Sequence, residues 1–191
     1  MDTRQQVMTV GQRFGHLAAI CSLALGLAAA DLRAAGAASA AEQVSEAQVK
    51  AAFLFNVVKF VQWPADDLPT DRIVIGLVAR DSFRRTLEAV VNGKSVNGRA
   101  VVVRELQGND DGRGCHIVFV ENAVDDVQKA VVLRRAREGG MLTVGETTQF
   151  MVEGGLVRLY VDGNQLRFQI DTVGVQLSGL KVSAQLMSLA K

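Results

Sequence analysis

Side chains that can do chemistry are scarce in this chain. It holds 2 cysteines and 2 histidines among 191 residues, and its formal net charge is only +1. Each shortage excludes something. The basic residues form no run, which argues against nucleic-acid binding as the main task. Past the amino-terminal region no segment is long and apolar enough to span a bilayer, which takes about 20 apolar residues. At the start, Arg4 and Arg13 supply the basic beginning of an export-like pattern: an apolar run from Leu17 to Ala30, then the small residues Ala38-Ser39-Ala40 of a cleavage site. This predicts a signal peptide over 1–40 and an exported domain over 41–191. Cys21 follows Ile20, where a lipid-attachment box needs a small residue, so it is expected to leave with the signal peptide. One thiol, Cys115, and one histidine, His116, then remain. A lone thiol has no intrachain disulfide partner, and a lone histidine removes any histidine-cluster metal site. Cys115 is expected to be a buried strand residue.

What is present is an alternation of strand and helix signals. Residues Val49 to Pro64 form an amphipathic helix pattern, with Ser45 and Gln48 at capping-box spacing and Pro64 as the stop. Val49, Phe53, Val57, Phe60 and Val61 make its apolar stripe, and Lys50 and Lys59 are expected to stay solvated. Strands are predicted over Arg72–Ala79, Ala100–Glu105, Cys115–Val120 and Met141–Val144, with helices over Asp81–Asn92, Asp125–Arg137 and Thr148–Val152. Asp81 and Ser82 are the expected caps of the first of these helices. Leu156–Val161 and Gln165–Ile170 flank Asp162-Gly163-Asn164, a hairpin signal. A last helix is expected over Thr172–Ala190, with Gly179 as the place where it would break. The sum is a single α/β domain: Rossmann-like, three layers, a mostly parallel sheet with helices on its faces and an antiparallel hairpin near the carboxyl end.

No catalytic set assembles from these residues. Cys115 and His116 are neighbours on a predicted strand, so their side chains point to opposite faces and cannot form a nucleophile–base pair. The doublets Asp66-Asp67, Asp110-Asp111 and Asp125-Asp126 lack the spacing of a calcium loop and read as loop or helix-start carboxylates. Gly108, Gly112 and Gly114 precede a strand, whereas phosphate-cradling loops follow one. The expectation is therefore a binding protein with no catalytic, cofactor or metal site.

Ordered pieces of the chain resemble one family. The run Lys50-Ala51-Ala52-Phe53…Asn56…Lys59-Phe60-Val61-Gln62-Trp63-Pro64 is similar to the opening helix of the YfiR (DUF4154-like) family. The strand Cys115-His116-Ile117-Val118-Phe119, the block Leu142-Thr143-Val144-Gly145-Glu146…Phe150…Gly154-Gly155, the stretch Arg167-Phe168-Gln169-Ile170 and the ending Gly179-Leu180-Lys181-Val182-Ser183 follow in the family's order. Gln169 and Asp171 depart from its usual Glu and Asn. The resemblance implies a periplasmic regulator that binds the periplasmic portion of an inner-membrane diguanylate cyclase and holds it inactive. An OmpA-like outer-membrane lipoprotein then acts as the releasing partner, and cyclic di-GMP and biofilm formation are the outputs. It is also compatible with a homodimer. Other members look like accessory proteins of membrane histidine kinases, so small-ligand sensing at the carboxyl ends of the parallel strands is the alternative. Phe150, Ile170 and Gln185 are the expected partner-contact residues, with ordinary packing as the competing role for each.

Overall fold

The computed structural model describes residues 46–64 and 68–191. The predicted signal peptide, its cleavage site, Ser45 of the capping box and the Asp66-Asp67 doublet lie outside the described residues.

The opening helix is shorter and rotated relative to its sequence pattern. Helix α1 covers residues 46–57, then tightens into a 3-10 turn at Val58–Phe60. At Val61 the chain is already extended (φ −120°, ψ 138°) and forms β1, Val61–Gln62. Val61 thus ends up in a strand rather than in the helical stripe. The stripe that is buried runs through Ala51, Leu54, Val57 and Val58, while Val49 is 46% exposed. β1 pairs antiparallel with β9, Lys181–Val182, in a separate two-stranded sheet.

The main sheet has seven strands in the order β3-β4-β2-β5-β6-β7-β8. They are β2 (Arg72–Val78), β3 (Ser95–Val96), β4 (Arg99–Glu105), β5 (Ile117–Val120), β6 (Leu142–Gly145), β7 (Val157–Asp162) and β8 (Gln165–Ile170). Neighbours from β4 across to β7 run parallel, and both edges are antiparallel hairpins. The sheet is therefore mixed, not the mostly parallel Rossmann-like sheet expected from sequence. The expected β7–β8 hairpin is there. The β3–β4 hairpin was not foreseen: its turn is Asn97-Gly98, with φ of 52° and 77°, left-handed values that suit asparagine and glycine in a tight hairpin turn.

Helices cover both faces. Alternate residues of β2 fall into two cores, as the period of a strand requires. Ile73, Ile75 and Leu77 pack with α1 and with α2 (Asp81–Val91), whereas Val74 and Val78 pack with α3 (Asp126–Ala136) and Phe150 of α4 (Thr148–Val152). Asp81 is the first residue of α2 rather than its cap; Arg80 holds the cap position and makes no side-chain capping bond. The last helix breaks as Gly179 suggested: α5 (Thr172–Leu177) ends there at φ 73°, β9 follows, and α6 (Ala184–Leu189) closes the fold. No helix among the described residues is long and apolar enough to cross a membrane.

Candidate functional site

The block around Phe150 is a clasp built from small residues. Thr147 Oγ1 accepts a hydrogen bond from Phe150 N–H at 3.0 Å and so starts α4. A side chain on Gly145 or Gly155 would overlap the Phe150 ring, so these glycines exist to admit it. Gly155 N–H then donates to Phe150 C=O at 2.9 Å, and Leu156 N–H donates to the buried Thr143 Oγ1 at 3.0 Å. The ring is 2% exposed. It supports a surface and does not itself present one.

Ile170 and Gln185 lie elsewhere. Ile170 ends β8, half-buried against the core on the α1 side of the sheet, whereas Phe150 belongs to the core on the α3 side. Gln185 is exposed on α6, whose end is tied to β8 by Lys191 N–H donating to Phe168 C=O at 3.0 Å. The structure therefore places Ile170 and Gln185 on adjoining elements and sets Phe150 apart from them.

Cys115 and His116 sit just before β5 and face different neighbours. Cys115 is buried in the α3-side core, and burial pushes its thiol up to about 11. His116 is 1% exposed. Its Nδ1 accepts from Val74 N–H at 3.2 Å, so the imidazole extends the β2–β5 ladder by one rung. Trp63 packs edge-on against the ring and donates Nε1–H to His116 C=O at 2.8 Å. Burial, with Arg99 adding to it, lowers the imidazole to about 4.

A charged cluster that the sequence did not reveal occupies the carboxyl ends of the strands. The chain leaves β2 for β4 on one side and returns to β5 on the other, which makes a topological switch point, the usual ligand crevice of an open α/β sheet. Arg80 follows β2, Glu121 follows β5 and Glu146 follows β6. Glu121 accepts from Arg80 N–H at 2.8 Å and from its guanidinium at 2.6 Å and 3.1 Å. Lys50 of α1, expected to be solvated, reaches in to Glu146 at 2.6 Å, and Glu146 also accepts from Asn122 N–H at 2.7 Å. Burial alone would raise the Glu121 carboxyl; the Arg80 bonds and the Lys50 charge outweigh it and hold the group below the usual range. Burial opposes the charged form of Lys50 too, and Glu146 and Glu46 outweigh it, so its ammonium is held more firmly. The available sequence signal was a charged residue directly after each buried strand.

Beside this cluster lies a cavity of about 230 Å³, walled by Val120, Val124 and Phe150 and carrying Glu121, Glu146 and the paired Asp126 and Lys129. The nearby helix start is already capped by Asp125, whose carboxylate accepts from Val127 N–H. A phosphate is therefore a poor fit, because the protein's own carboxylates occupy the positions an anion would take. Asp110 and Asp111 bond to the amides of Gly112 and Arg113 in their own loop. No group of three or more metal-binding side chains forms among the described residues.

Compared with known families, residues 47–191 match the model described as DUF4154: YfiR/HmsC-like. A comparison with curated proteins gave no match.

Proposed function

The chain belongs to the YfiR/HmsC-like family, and on that premise we propose that it is a periplasmic regulator that inhibits an inner-membrane diguanylate cyclase by binding its periplasmic portion. The observation that carries this reading is the family match across the whole described domain. The fold is in keeping with it: the clustered ionisable groups are paired with one another, as suits a domain that works by contact. Binding acts by population shift, with the inactive arrangement of the cyclase stabilised because it alone offers the complementary surface. Ile170 and Gln185 are the proposed contact residues, with Phe150 holding the surface from behind. An OmpA-like outer-membrane lipoprotein is the proposed competitor that frees the cyclase.

Cyclic di-GMP measured with and without the gene tests this. Deletion should raise it, and only a copy that keeps residues 1–40 should restore it. Unchanged cyclic di-GMP sinks the reading.

One observation favours the second reading, a ligand-sensing accessory protein of a membrane histidine kinase. The cavity beside Glu121 and Glu146 has the position, though at about 230 Å³ only the size, for a small polar molecule. Thermal shift against a panel of small metabolites separates the two readings.

A further inference from the structure

The outer edge of β4 is only half covered. Ser95 and Val96 of β3 pair with Ala100 and Arg99, and Val101 N–H donates to Lys94 C=O at 3.1 Å. From Val102 to Glu105, β4 has β2 beside it and no described strand on the other side. Main-chain groups of successive strand residues point to alternate sides. Leu106 N–H donates to Leu77 C=O at 2.8 Å, on the β2 side, and Val101 N–H points to the β3 side. Val103 and Glu105 therefore aim their N–H and C=O groups outward, and no backbone partner for them is found among the described residues.

A groove of about 640 Å³ lies between the end of α2 and β4 from Ala100 to Val103, and so meets the open stretch at Val102 and Val103. Ala89, Val101 and Val103 give it an apolar lining, and Glu88 and Lys94 add one charge of each sign.

We propose that this edge receives an extended segment of a partner protein as an added strand, in line with β3. Donors and acceptors repeating at strand spacing are matched by another extended main chain; a helix has already used its own. Side chains of the added strand alternate, so every second one enters the groove, where β-branched apolar residues suit Ala89, Val101 and Val103. A second copy of this chain fits less well. Antiparallel pairing that joins Val103 to Glu105 of the copy centres on Arg104 and sets that arginine opposite itself, and like charges so placed repel. Between Val102 and Glu105 the edge has no proline and no bulge; the charges of Arg104 and Glu105 are its protection, and they act against a like-charged strand. Who supplies the strand rests on the binding function proposed above; the open edge does not.

Residue-resolved amide exchange on the full chain tests this, with a short peptide that alternates valine and threonine between lysine ends. Val103 and Glu105 amides should exchange fast in the free protein and slow at least about tenfold with peptide. Val103→Pro removes an amide that faces away from β2, so protection across β2 and β5 should persist while peptide protection at Glu105 is lost. The same peptide methylated on its β4-facing amides should protect nothing. The proposal fails if Val103 and Glu105 are already protected in the free chain, or if the peptide protects amides elsewhere only. It also fails if Val103→Pro or the methylated peptide makes no difference. Failure here leaves the cyclic di-GMP outcome untouched, and the reverse holds.

Discussion

A protonated His116 has no lone pair left on Nδ1 to accept from Val74 N–H. Its folded value of about 4 lies below the ordinary 6.5, so the neutral form is the one that folding favours. That contribution is complete above pH 6.5 and is lost as pH falls through 4. Glu121, also held below its ordinary range, loses its contribution over the same acid side. Urea midpoints should therefore drop between neutral pH and pH 4. The unfolding free energy lost over that range should be smaller in His116→Asn by about 3 kcal/mol; an unchanged pH profile in that variant would remove His116 as the cause. Phe150→Ala should cost about 3–5 kcal/mol, since a ring between two glycines leaves a cavity that neither can fill. A chemical melt of that variant measures it. The Gly145, Phe150 and Gly155 set was visible in the sequence as a pattern, but its meaning needed the structure. Spacing alone does not say which glycine makes room for which ring.

The strands and helices of the middle of the chain were largely legible, because each buried strand is an apolar run and each helix has a polar start. The pieces that escaped are two-residue strands, β1, β3 and β9, too short to carry a period. The Lys50–Glu146 pair escaped for another reason: it joins α1 to the end of β6, and such long-range pairing has no local trace. Lys50→Met should leave Glu146, whose side chain is 13% exposed, without its cation. A loss of about 1–3 kcal/mol is expected on denaturation, and a loss near zero would mean that solvent already screens the pair. Between β2 and the loop before β5, a Cβ on Gly76 would lie 2.8 Å from Cys115 Sγ. The corresponding separation across a disulfide is about 3 Å. Gly76→Cys should thus close a bridge under mild oxidation, seen by mass spectrometry. The single Cys115, by contrast, should label slowly, being buried with its thiol pushed up to about 11.

Across the whole molecule, the mixed sheet and the two cores set most of the stability; the β1–β9 pair stands outside that sheet, with Val61 and Val182 packed into the α1-side core. Ser183 N–H donates to Phe60 C=O at 2.9 Å, so by alternation the Lys181 main chain also faces β1. Lys181→Pro should release that pairing. Amide exchange in α1 and α6 should then quicken while β2, β5 and β6 stay protected; equal quickening everywhere would show that the ends and the sheet open as one unit.

Val61 and Val182 meet across more than half the chain. Closing a loop of that length costs on the order of 4 kcal/mol in chain entropy. The strand–helix–strand units between them need only short closures, so folding should proceed from the middle outward and reach this seam last. In reverse, the seam is the first joint to part, and early unfolding events should free both ends of the domain while its centre is still native.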